Sequence, residues 1–247
     1  MNLDPYFETA PPWLRGRTIF LCKAGSHSYG LNTPESDLDL KGVCMEPIEA
    51  VVGFAERFEQ FQRHDPEADV TIFGLLKFAK LAIQCNPNII EGLFVRPEDV
   101  LLSTPIYEEL RAYRKMFISE KARHTFRGYA MSQLKKIQRK HEYGTTGKRQ
   151  HVIDKFGYDT KHAMHLVRLM RMGGEILRTG EVNVWRKDRE DLLAVRRGEW
   201  SLDELVAWAE AEDKVLADLS TELPWGPPIK EVDALCRSLL LKSWGLA

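Results

Sequence analysis

The sequence predicts an α+β protein: a small mixed sheet with helices in the first third of the chain, then a mainly helical C-terminal part. Three observations carry this. Thr18-Ile-Phe-Leu-Cys22 is a β-branched and aromatic run with no helical period. Asp37-Leu-Asp-Leu-Lys41 alternates polar and apolar side chains, the period of a half-buried strand. From about 104 to 140 and again from about 158 to 178, apolar positions recur at helical spacing. The expected division is a core over 1–103 and a helical domain over 104–247.

The elements follow in order. The first strand ends at Ala24-Gly25-Ser26, a turn signal, and a polar loop from Leu31 to Ser36 leads into the alternating strand from Asp37 to Cys44. In that strand Asp37, Asp39 and Lys41 share one face, with Leu38 and Leu40 on the other. Asp69-Val-Thr-Ile72 is a third β-prone run, feeding a helical pattern over Phe73–Ile83. Asn86-Pro87 has the form of an N-cap followed by proline at the first helical position, with Glu91 in the next turn. His141–Arg149, with two glycines and two threonines, reads as a mobile loop. Ser201 and Glu204 have capping-box spacing and open a further helix. Trp200, Trp208, Trp225 and Trp244 are expected to anchor the C-terminal helices by packing.

Composition narrows the class. At 247 residues with 44% hydrophobic content the chain is long enough to bury a core without disulfide or metal. No apolar run approaches the ~20 residues needed to span a bilayer. Met1–Pro12, with Asp4, Glu8 and two later prolines, resembles neither a signal nor a transit peptide. Four cysteines (Cys22, Cys44, Cys85, Cys236) lie far apart with no C-x-x-C pair, which favours reduced thiols and a cytoplasmic location. The net charge of −1 hides an asymmetry. Residues 1–120 carry 12 basic and 18 acidic side chains, residues 121–171 carry 13 and 3, and residues 172–247 carry 10 and 15. The middle segment, at +10, is either a surface that meets phosphates or a solvated helix face.

The most informative stretch joins Gly25-Ser26, ten residues later, to Asp37-Leu-Asp-Leu40 behind a buried strand. Aspartates at i and i+2 of a strand point the same way and can share divalent cations, which substrate phosphates and water complete. A Gly-Ser turn offers backbone N–H groups and a hydroxyl to phosphate oxygens, and glycine permits close approach. A third carboxylate on a neighbouring strand would complete a two-metal site. Asp69 is the best candidate, ahead of Glu59, Asp65 and Glu67 in a charged stretch that reads as loop.

This arrangement resembles the signature of the DNA polymerase beta-like nucleotidyltransferase superfamily. More closely, the chain resembles its RNA-repair-pathway-associated branch, common in bacteria and phages. The pieces are Gly25-Ser-His-Ser-Tyr-Gly30, Ser36-Asp-Leu-Asp-Leu-Lys-Gly42, Asn86-Pro-Asn-Ile-Ile-Glu91 and Gly157-Tyr-Asp-Thr-Lys-His-Ala-Met-His165, continuing to Arg168. The resemblance implies a polymerase-beta-like catalytic core over 1–103. It also implies Gly25 and Ser26 on the nucleoside triphosphate (NTP), and Asp37, Asp39 and Asp69 on two Mg²⁺ or Mn²⁺ ions. One departure is notable: small antibiotic-modifying or toxin-associated relatives carry an arginine soon after the Gly-Ser, where this chain has His27, Ser28 and Tyr29.

In the basic half, Lys161, His165, Arg168 and Met172 form one helical stripe. Lys161 and Arg168 are candidates to neutralise a bound triphosphate. His162 and His165 form an H-x-x-H, for which a metal pair and ordinary core packing are both open readings. Phe126, Tyr129 and Tyr143 interleave with Lys135, Lys136, Arg139, Lys140, Lys148 and Arg149. That pattern suits single-stranded nucleic acid, although the aromatics are more simply read as core. The expected function is transfer of a nucleoside monophosphate from an NTP to an acceptor hydroxyl, favouring an RNA 3′ end met by segment 121–171, with no membrane partner. The alternatives are a protein or small-molecule acceptor, or a non-catalytic nucleotide- or nucleic-acid-binding protein of the same fold.

Overall fold

A computed structural model describes residues 3–34, 36–65, 68–143 and 150–246. Five strands, β1 (Thr18–Ala24), β2 (Asp39–Cys44), β3 (Gln60–His64), β4 (Asp69–Gly74) and β5 (Val100–Ser103), form one mixed sheet in the order β3-β4-β2-β1-β5. β2 runs parallel to β4; the other neighbours are antiparallel. Short helix α1 (Leu14–Arg17) leads into β1, and α2 (Gly25–Tyr29) and α3 (Ile48–Val52) follow β1 and β2. Then come α4 (Leu75–Ala82), α5 (Pro87–Phe94) and α6 (Pro105–Ala112). The rest is helical: α7 (Lys121–Tyr143), α8 (Gln150–Phe156), α9 (Thr160–Thr179), α10 (Arg189–Arg196), α11 (Leu202–Asp218) and α12 (Ile229–Ser243).

The pleat separates two cores. Leu21, Leu40, Val70 and Ile72 face Leu3, Phe7 and Leu14 of the N-terminal segment. Phe20, Cys22 and Val43 project from the opposite face into a larger cluster shared with the C-terminal helices. Phe20 stacks on Tyr107 of α6 with ring centroids 3.9 Å apart, and Tyr107 donates its hydroxyl to Gly92 O, tying β1, α5 and α6 together. Helices α7 and α9 pack along each other, with α10 and α11 against α9.

Local signals read in the sequence recur as caps. The Asn86 side chain accepts from Asn88 N, with Pro87 opening α5. Ser201 and Glu204 form a reciprocal capping box on α11. Asp159, not singled out in the sequence, also caps α9 through the N–H groups of Lys161 and His162. Some expectations need correction. The turn at Gly25-Ser26 runs directly into a short helix, α2. Phe73 and Gly74 still belong to β4, so α4 begins two residues later than the pattern suggests. The charged stretch around Glu59 contains strand β3, an edge strand with one polar face. His141–Tyr143 are helical, and 144–149, including Lys148 and Arg149, lie outside the described residues, as do Glu67 and the side chains of Lys140 and Tyr143. Trp200 and Trp208 pack edge to face at 5.7 Å and the Trp244 indole N–H donates to Glu46 O, whereas Trp225, expected to pack, is 80% exposed. All four cysteines are buried and unpaired.

Candidate active site

The site forms where β1 ends and β2 and β4 begin. Ala24, the last residue of β1, lies opposite Asp39, the first of β2. Asp39 is in register with Asp69, the first residue of β4. Two carboxylates thus lie side by side on neighbouring parallel strands, with Asp37 just upstream. Gly25 then turns the chain from β1 into α2 with φ +59°, a left-handed conformation that glycine adopts without strain. A β-carbon at position 25 would stand 2.1 Å from Asp39 Oδ2, so only a bare α-carbon leaves room for this carboxylate.

Gly25, Ser26, Asp37, Asp39, Asp69 and Lys161 line a single cleft of about 310 Å³, closed on the helical side by Met164 and His165 of α9 and by Arg196 of α10. Burial raises the pKa of Asp39, and the neighbouring Asp69 and Asp37 raise it further, against the opposing pull of Lys41 and Lys161. Asp69 Oδ1 lies 3.0 Å from His64 Nδ1 on the adjacent strand. Among the described residues, no three His, Cys, Asp or Glu side chains are drawn tightly enough together to enclose a metal ion by themselves. The cleft nevertheless suits a hard divalent cation. Its carboxylates crowd one edge, Asp39 is held against a glycine, and such an ion takes its remaining ligands from phosphates and water.

Behind the cleft a buried network fixes α2. Tyr29 donates its hydroxyl to Glu91 Oε2 at 2.6 Å, and Arg168 Nη1 lies 2.7 Å from Glu91 Oε1. The Arg168 guanidinium stacks 3.8 Å over the Tyr29 ring, and its side chain is only 3% exposed. Arg168 thus binds α2 and α5 to α9, and it lines the neighbouring recess rather than the carboxylate cleft. Lys41 Nζ donates to Asn88 O at 2.8 Å, and burial lowers its pKa. The two histidines of the H-x-x-H go separate ways. His162 Nδ1 meets Gln133 Oε1 at 2.7 Å, while His165 faces the cleft. Burial, with Arg168 and Lys161 nearby, brings the His165 pKa down to about 3, so the ring is neutral at physiological pH.

The +10 segment divides on inspection. Arg123 donates to the carbonyls of Leu216, Ala217 and Leu219 at the end of α11 and pairs with Glu120. Arg127 pairs through two nitrogens with Asp213, Arg168 with Glu91, and Arg171 with Asp188 and Asp191. These four arginines hold the fold. Lys135, Lys136 and Arg139 stand exposed on α7. Of the aromatics, Phe126 is core and Tyr129 is half-buried, its hydroxyl accepting from Asn86 Nδ2 at 2.8 Å. Sequence reasoning missed Arg196, Gln133 and His64. The amphipathic spacing of Leu192 and Val195 signals α10, but no motif marks Arg196.

Comparison with known proteins places the chain in a family. The profile of the RNA repair pathway DNA polymerase beta family matches residues 7–222. An uncharacterized 38.9 kDa protein from the nrdC-mobD intergenic region of Enterobacteria phage T4 is 26% identical over 143 residues. That match takes in 54% of this chain and 40% of the phage protein, so it spans under half of that relative's length. A nucleotidyltransferase-like protein from Exiguobacterium sibiricum 255-15 aligns over 98% of this chain and 76% of its own, at 13% identity and a TM-score of 0.31.

Proposed function

Because the chain belongs to the RNA repair pathway DNA polymerase beta family, we propose that it transfers a nucleoside monophosphate from an NTP to the 3′ hydroxyl of an RNA, releasing pyrophosphate. One observation carries the reading: Asp37, Asp39 and Asp69 share a single cleft with Gly25 and Ser26, opposite Lys161 and Arg196. The acceptor oxygen bonds to the α-phosphorus, the bond from that phosphorus to the bridging oxygen breaks, and the hydroxyl proton passes to water.

Asp37, Asp39 and Asp69 would hold two Mg²⁺ or Mn²⁺ ions. When bound, such ions lower the pKa of an acceptor hydroxyl and neutralise charge on the departing pyrophosphate, so no separate general base is required. Gly25 and Ser26 bind the β- and γ-phosphates through backbone N–H and hydroxyl groups. Lys161 and Arg196 supply positive charge from the helical wall, where it strengthens as water is excluded. The exposed cations of α7 support a polynucleotide acceptor, and the four unpaired thiols support a cytoplasmic setting.

The test is incubation with each α-³²P-labelled NTP, Mg²⁺ or Mn²⁺ and a single-stranded RNA, beside the Asp37→Ala/Asp39→Ala double variant. Label should appear on the RNA with the wild-type chain and vanish with the variant. Label on the protein instead would replace RNA with a protein acceptor. NTP binding without any transfer would favour a nucleotide sensor.

A further inference from the structure

A second recess, of about 430 Å³, opens between α7 and α9. It shares Gly25, Asp39, Lys161 and His165 with the carboxylate cleft, so Asp39 stands at the seam of two cavities. A group-transfer reaction needs two ligands whose reacting atoms meet at the catalytic carboxylates, and this seam supplies a place for each. Asp37 and Asp69 line only the first cavity; among the described residues Asp39 is the one acidic side chain lining the second.

Hydrogen-bond donors dominate the new side chains of the second recess. Tyr129 accepts from Asn86 and therefore retains its own hydroxyl proton to donate. The Gln133 carbonyl is occupied by His162 Nδ1–H, which directs its amino group to other acceptors. Lys136 completes the set on α7. Such a lining suits a ligand rich in acceptors, as phosphodiesters and the carbonyl-bearing edges of bases are. Arg139 lies one turn along α7 from both Lys135 and Lys136 and all three are exposed, so positive charge continues outward from the recess. A lone triphosphate ends at the carboxylates and has no use for that extension. A strand of phosphates does.

We infer that the α7–α9 recess receives the 3′-terminal nucleotides of a single-stranded acceptor polynucleotide, met by Tyr129, Gln133 and Lys136, while the NTP occupies the cleft across Asp39. The inference rests on the nucleotidyl-transfer reading and assigns its two substrates to separate cavities. It makes Lys136 an acceptor-binding residue with no part in holding the NTP.

The test measures both ligands separately on the full chain. Fluorescence anisotropy follows a 5′-fluorescein single-stranded RNA of mixed sequence across a salt series, and calorimetry follows α,β-methylene analogues of ATP and CTP with Mg²⁺. The proteins are wild type, Lys136→Glu, Tyr129→Phe and, as a charge control on α12, Lys230→Glu. Lys136→Glu should weaken RNA binding at least about tenfold and flatten the salt slope, by about 0.7 for each phosphate no longer neutralised. Tyr129→Phe should weaken RNA binding by a smaller factor, and Lys230→Glu should leave it unchanged. Affinity for the NTP analogues should stay within about twofold in all three variants.

Equal loss of RNA and NTP affinity in Lys136→Glu would overturn the inference, because the recess would then hold the donor. Unchanged RNA binding in Lys136→Glu, or none by the wild-type chain, would overturn it as well. If RNA binds through Lys136 but the wild-type chain takes up no triphosphate, the transfer reading falls while the polynucleotide site stands.

Discussion

At the scale of single residues, His165 has the clearest measurable consequence. Its ring sits between Lys161 and Arg168 on α9 and is kept neutral by burial and by those cations, with its pKa at about 3 against an ordinary 6.5. In the unfolded chain it protonates near the ordinary value; in the folded chain it does not. Between those two values the unfolded state binds the extra proton, so stability falls as pH drops from about 6.5 toward 3, by at most ~1.4 kcal/mol per pH unit. Replacing the ring with an uncharged amide, His165→Gln, should remove that share of the acid sensitivity. Urea unfolding at pH 7 and pH 5 measures it: the stability lost between the two should be smaller in the variant, and equal losses would place the acid sensitivity elsewhere. A neutral ring at the seam of the two cavities also avoids adding a third positive charge beside Lys161 and Arg196.

Among the elements, α9 does two separable jobs with one stripe of side chains. Lys161 in its first turn lines the carboxylate cleft, and Arg168 two turns on is buried against Glu91 and Tyr29. Arg168→Ala should therefore act on stability, since it strands the Glu91 carboxylate, and breaking a buried pair costs about 3–5 kcal/mol. Lys161→Ala should cost clearly less stability than Arg168→Ala while weakening NTP affinity roughly tenfold, the loss expected for one or two charge-assisted contacts. Urea denaturation and NTP titration of both variants check the division, and equal destabilisation by both would refute it. Sequence alone put both residues on one helical face, because spacing reports direction and not depth. The same limit explains other differences. β1, β2 and β4 were legible from burial runs and alternation; β2 and β4 carry Asp39 and Asp69, while Asp37 lies two residues ahead of β2, which starts later than the alternation suggests. β3 was not, since an edge strand with Gln60, Gln62, Arg63 and His64 reads as loop. The four-residue β5 is too short to show a period. Asp39 and Asp69 were found because strand geometry constrains them locally, and Asp37 because it stands two residues from Asp39 in the same motif. Arg196 reaches the cleft only through the tertiary packing of α10 on α9, which leaves no local pattern.

The whole molecule raises the question of whether the division near residue 103 separates two folding units. All five strands of the sheet lie before it, and Phe20, Cys22 and Val43 on its larger core face pack into the cluster that continues through the later helices. Phe20 stacks on Tyr107, Cys22 and Val43 join the same cluster as Phe126 and Leu166, and Glu91 pairs with Arg168 across the division. Cutting the chain at Ser103 would expose that sheet face to water and leave Glu91 without its cation. The loss would reach one whole side of the sheet, at about 25 cal/mol for each Å² of apolar surface no longer buried. We therefore expect residues 1–103 and 104–247 to unfold together. Calorimetry of the full chain should give one transition with equal calorimetric and van't Hoff enthalpies. A fragment of residues 1–103 should lack a near-ultraviolet circular dichroism signal. Two resolved transitions, or a folded fragment, would instead make the carboxylate-bearing sheet an independent module. In that case the helices would add Lys161, Arg196 and the α7–α9 recess to a site that already stands without them.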